Sequence, residues 1–98
     1  MVYARIEAFP NKTCPEYERF GGALVNCWIL RDDIEEAVSI ARRMIAERGW
    51  HSKVLEEARF CSRDEFPAGS REYFDQALTD DEVLVYHTYP KDEMEDRA

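Results

Sequence analysis

Apolar and polar residues alternate one by one at the start of the chain. Val2, Ala4, Ile6 and Ala8 fall on one side and Tyr3, Arg5, Glu7 and Phe9 on the other. A period of two predicts a half-buried strand over Val2 to Phe9, with the first set facing a core. Pro10 to Gly22, "PNKTCPEYERFGG", interrupts the alternation with prolines, glycines and an asparagine. It reads as a loop with room for one helical turn at Pro15 to Arg19, and loops of that length often carry function. Ala23 to Leu30, "ALVNCWIL", is apolar on both sides: Ala23, Val25, Cys27 and Ile29 oppose Leu24, Trp28 and Leu30, with Asn26 among the latter. Such a strand is central, with cover on each face.

The period then lengthens. In "RDDIEEAVSIARRMIAERGW", Ile34, Ala37, Val38, Ala41, Met44 and Ile45 recur at helical spacing and predict one buried stripe. Asp32 reads as the N-cap with Glu35 three residues on, and the acidic first turn suits the positive helix end. Gly49 fits the position after the C-cap, where glycine takes positive φ without strain, and Trp50 folds back on Ile45. Trp50 to Phe60 resumes as a strand of weak alternation, with Glu56 and Glu57 marking a bulge. After the connector "CSRDEFPAGS", Ser70 is the expected cap of a shorter helix, Arg71 to Leu78, with Tyr73, Phe74, Ala77 and Leu78 inward. "TDDE" breaks the chain before the closing strand, Val83 to Tyr89, which Pro90 ends. The remainder, 91–98, reads as a flexible acidic tail.

The order β-β-α-β-α-β predicts an α+β domain over residues 1–90. Strand, helix and strand from Ala23 to Phe60 form a crossover, which makes those two strands parallel. The second helix is expected beside the first, giving a ferredoxin-like two-layer sandwich with both helices on one sheet face. The other face, bearing Tyr3, Leu24, Trp28 and Leu30, is then too apolar to stay wet. Two covers fit: a second copy of the chain in a homodimer, since a two-fold interface makes one patch its own partner, or the Pro10 to Gly22 loop with Tyr17 and Phe20.

Composition narrows the function classes. A 98-residue chain fits one domain. Its 35% charged residues accompany 45% hydrophobic and 12% aromatic ones, the balance of a folded protein and not of a disordered one. The net charge of −8, with the cations scattered among acids, argues against nucleic acid, which needs clustered Lys and Arg. No stretch approaches the apolar length of a membrane span, and no signal-like leader opens the chain, so a cytoplasmic protein is expected. Three cysteines, Cys14, Cys27 and Cys61, form no CxxC pair and predict neither a disulfide framework nor a zinc knuckle.

Candidate chemistry centres on "VLVYHTYP". His87 shares one side of the last strand with Val83, Val85 and Tyr89, and serves as an acid or base only if a cleft and a second polar group meet it. Cys14, near Lys12, is a nucleophile only with a histidine beside it, and His51 and His87 are the two available. HxH, HxxxH and CxxC spacings are absent, so neither a metal nor a cofactor is expected. Gly21 and Gly22 precede a strand and so do not form a phosphate loop. Cys14, Tyr17, Asn26, Trp28, Tyr86 and His87 are the candidate ligand or interface residues. The reading that follows is a binding module, homodimeric, using an exposed sheet face to take a protein or small-molecule partner. Its alternative is a small enzyme with His87 in a pocket between the sheet and the 10–22 loop.

The segments "GGALVNCWI", "AERGW", "REYFDQAL" and "VLVYHTYP" resemble a group of small uncharacterised bacterial proteins. Those share a GG-x3-NCW strand, a GW after the first helix, a YF-x-QA helix and a closing aromatic-His-Thr-aromatic-Pro strand. The resemblance spans roughly Gly21 to Pro90. It implies a bacterial origin and an α+β fold, and it transfers no catalytic residue.

Overall fold

The computed structural model describes residues 1–91, so the expected acidic tail lies almost wholly outside the described residues. The elements are β1 (Val2–Pro10), a 3-10 turn at Pro15–Glu18, β2 (Phe20–Ile29), α1 (Ile34–Glu47), β3 (Trp50–Phe60), a 3-10 turn at Arg63–Glu65, α2 (Ala68–Asp80) and β4 (Glu82–Pro90). The strands form one sheet in the order β3-β1-β2-β4, and every neighbouring pair is antiparallel. β2 and β3 both oppose β1, so they are parallel to each other as the crossover requires, with β1 between them. The fold is α+β: an antiparallel four-stranded sheet with two helices.

The helices do not share a face. Residues of β1 and β2 that alternate toward one side, among them Val2, Ile6, Val25 and Cys27, are fully buried with Ala37, Ile40, Ala41 and Ile45 of α1. Their neighbours in register, Tyr3 and Trp28, point the opposite way and are buried with Phe66 and with Ala77 of α2. The expectation of both helices on one face, and with it the ferredoxin-like layout, is therefore corrected. Sheet and α1 form a two-layer unit, and α2 lies on the reverse face. The aromatic pair explains why. Tyr3 and Trp28 stand 5.4 Å apart between ring centroids, and Trp28 stacks at 5.3 Å on Tyr73 and 5.5 Å from Phe66. Exposed, that surface would forgo roughly 2–3 kcal/mol for each large ring. The chain must also pass from β3 at one sheet edge to β4 at the other.

Local signals shift by a residue or two. Asp33, not Asp32, caps α1: its side chain accepts from the Glu36 backbone N–H at 2.9 Å. α2 begins at Ala68 after Pro67, so Ser70 lies inside it and not at its cap. β2 reaches back to Phe20, taking Gly21 and Gly22 into the strand, with a register shift between Phe20 and Gly22. β3 skips Glu56 opposite β1, as the paired glutamates predicted, and slips again near Lys53. Gly49 takes φ 91, the left-handed conformation that a side chain would strain. Trp50 follows it into the core at 1% exposure.

Candidate functional site

The short loop left between β1 and β2 packs on the α1 side. Glu16 accepts a forked pair of hydrogen bonds from Arg48, Nε at 3.0 Å and Nη2 at 2.8 Å, and a third from Trp50 Nε1 at 2.9 Å. Those bonds hold the Glu16 carboxyl well below its usual range, at about 2. The Arg48 guanidinium in turn lies 3.9 Å from the Tyr86 ring centre and 5.3 Å from that of Trp50. Burial pushes the Tyr86 hydroxyl up to about 12, against the opposing pull of Arg48. Cys14 joins from the loop, its Sγ 3.9 Å from the Arg48 carbonyl oxygen. The cluster ties the end of α1, the start of β3 and the loop together. Both Glu16 carboxylate oxygens are engaged within it.

The reverse face carries the more open surface. α2 and Phe66 cover the row formed by Tyr3, Trp28 and Val83. Two rows beyond it have no helix over them. In the inner row Glu7 pairs across the ladders with Leu24 and Val54, and Leu24 with His87. In the outer row Phe9 pairs with His51, and Gly22 with Tyr89. Gly22 leaves those rings their room: a Cβ would lie 2.8 Å from Tyr89 Cζ and 2.9 Å from Phe9 Cδ1, so the two rings close over a residue with no side chain. Phe9 also sits 5.9 Å from the His51 ring and 5.3 Å from Lys53 Nζ. Val54 is 43% exposed, His51 and His87 are exposed, and Leu24, Phe9 and Tyr89 are half-buried. Tyr89 has its hydroxyl raised, first by desolvation and then by Glu7.

The structure separates the residues chosen from sequence. Cys14 and Tyr86 meet in the Arg48 cluster, on the α1 side. Tyr17 belongs to the same loop and carries Lys91, whose Nζ is 3.5 Å from its ring centre. Trp28 is 2% exposed beneath α2, and Asn26 Oδ1 accepts from Tyr3 Oη at 3.2 Å beside it. His87 stands apart on the uncovered rows. The loop with Phe20 joins the α1-side core, whereas His87 lies on the reverse face, so the loop is not the cover of that face. Sequence reasoning did not single out Glu16 or Arg48. It also missed the outer row, although Phe9, Gly22 and Tyr89 lie where β1, β2 and β4 reach the same end of the sheet. Among the described residues, no group of three His, Cys, Asp or Glu is placed to hold a metal ion, and no helix is long and apolar enough to cross a membrane. No family model, curated protein or solved structure matches the chain.

Proposed function

We propose that this chain is a non-enzymatic interaction module that works as a homodimer through the uncovered half of its reverse sheet face. The observation that carries this reading is that α2 stops short: it buries the Tyr3, Trp28 and Val83 row and leaves Leu24, Val54 and the Phe9 and Tyr89 rings open. A sheet surface of that kind is a usual place for a partner, and a second copy satisfies it by two-fold symmetry. The three free thiols suit a reducing compartment such as the cytoplasm. The enzyme alternative finds less support. His87 is exposed and lies on the opposite face from the polar cluster of the loop, whereas a general base needs a second group and a shielded site.

The two open rows span about 20 Å across the strands and about 15 Å along them, from spacings of ~4.8 Å between strands and ~3.3 Å per residue. Two such faces bury roughly 600 Å² in all, below the ~1,000 Å² of stable interfaces, so only weak association, in the high micromolar range, is expected. Sedimentation velocity across that range tests the reading. The wild-type chain shifts from monomer to dimer, and Leu24→Asp stays monomeric with its thermal unfolding little changed. A wild-type chain that remains a monomer throughout would overturn the proposal.

A further inference from the structure

The two edges of the sheet are guarded differently. β3 forms one edge, and its pairing with β1 slips twice, at Glu56 and near Lys53. It also carries charge along its length, with Glu56 paired to Arg5 and Glu57 to Arg59. Bulges and charged side chains are the usual protection of an edge against a further strand. β4, at the other edge, lacks both. Its ladder with β2 runs without a slip from Glu82 to Tyr89, and no Lys, Arg, Asp or Glu lies between Glu82 and Pro90.

The ladder fixes which backbone groups of β4 are spare. Leu30 N–H donates to the Asp81 carbonyl oxygen at 2.7 Å, so bonded pairs recur at every second step from there: Trp28 with Val83, Asn26 with Val85, Leu24 with His87. The N–H and C=O of Leu84, Tyr86 and Thr88 therefore point out of the sheet. Among the described residues, no turn or loop backbone reaches them, and the side chains that bond to backbone do so elsewhere. Pro90 has no N–H and closes the row. Charge marks the opposite end. Asp80 accepts from Gln76 at 3.1 Å, and none of Asp80, Asp81 and Glu82 joins an ion pair among the described residues.

We infer that β4 takes an added strand: an extended, apolar peptide segment of a partner protein, antiparallel to β4, with Lys or Arg at its C-terminal end beside Asp80, Asp81 and Glu82. Only an extended backbone supplies donors and acceptors at the two-residue spacing of the spare groups. Leu84 and Tyr86 on one side and Val85 on the other are half-buried, so apolar side chains on the new strand complete their cover. The antiparallel sense makes the more stable ladder. A second copy fits less well, because its Lys91, the cation that would reach the acids, is held by the ring and carbonyl oxygen of Tyr17. The site uses the sheet's edge and not its open rows, so it stands apart from the homodimer reading.

Amide hydrogen exchange of the full chain with a synthetic peptide, Val-Thr-Val-Thr-Val-Lys-Lys with blocked ends, tests the assignment. Exchange is expected to slow at Leu84, Tyr86 and Thr88, while Val83, Val85 and His87, already bonded to β2, stay unchanged. Thr88→Pro deletes one outward N–H without touching the ladder, and should weaken binding about tenfold. The same peptide with Glu in place of both Lys leaves the protein intact and should also bind about tenfold more weakly. No protection at millimolar peptide overturns the proposal, as does protection along β3 instead. Slowing at Leu84, Tyr86 and Thr88 that grows with protein concentration in the absence of peptide gives the edge to a second copy, and overturns it equally.

Discussion

The two faces of one sheet are built from the same four strands and treat their buried tryptophans differently. On the α1 side, small residues such as Ala4, Ala8, Ala37 and Ala41 are fully buried. Trp50 is buried with them, and its indole N–H donates to Glu16. On the reverse side, Trp28 is nearly as buried, yet among the described residues nothing accepts from its Nε1. A buried donor without a partner costs about 1–3 kcal/mol. α2 also keeps Leu78 at 52% exposure and covers one end of the face alone. The matched tryptophan and the orphaned one distinguish the two faces; exposure does not, since Phe60 at 54% and Leu55 at 39% pair with Val2 and Ile6 on the α1 side.

The contrast can be broken most directly at the two tryptophans. Trp50→Ala removes the ring that meets Phe20 and Tyr86 and deprives Glu16 of a donor, and a loss of about 4 kcal/mol is expected in chemical denaturation. The milder pair sharpens the point. Trp50→Phe should cost about 2 kcal/mol, and Trp28→Phe about 1 kcal/mol, because only the former gives up a made hydrogen bond. Equal losses would mean that the faces do not differ in this respect.

Glu16 adds a pH signature to the α1 side. Its folded-state carboxyl titrates at about 2, below the ordinary 4.5. The stability linked to it is thus fully present above pH 4.5 and declines as the pH falls toward 2. Glu16→Gln should lower stability by roughly 1–2 kcal/mol at pH 7, with the gap from wild type closing in acid. A gap that stays constant with pH would mean the carboxylate is not held by Arg48.

On the reverse side, Gly22→Ala displaces the Tyr89 and Phe9 rings, which are the free ends of side chains and can swing away. A stability loss of only about 1 kcal/mol is expected, together with a loss of the proposed dimer. Destabilisation as large as that of Trp50→Ala would show that the outer row is core. The smallest effect is chemical. Cys27 is buried on the α1 side with its thiol pushed up to about 12 by desolvation, so it should resist thiol reagents until the protein unfolds. Half-buried Cys14 and Cys61 should label first.

Much of this was legible in the sequence. The period-two run of β1, the doubly apolar β2, the stripe of α1 and the stop at Pro90 identified their elements. The Glu56 and Glu57 pair marked its bulge, and Gly49 its positive φ. The side that α2 would choose was not legible, because Tyr73, Phe74 and Ala77 suit any aromatic surface. Glu16 and Arg48 were equally hidden: 32 residues apart, they gain meaning only when the loop folds against the end of α1. His87 shows the same division. Alternation along "VLVYHTYP" placed it on one side with Val83, Val85 and Tyr89, since side chains of a strand alternate whatever surrounds them. Which neighbours that side would have depended on contacts between distant segments, and the tertiary structure alone put α2 over Val83 and left His87 beside Leu24 on the open rows.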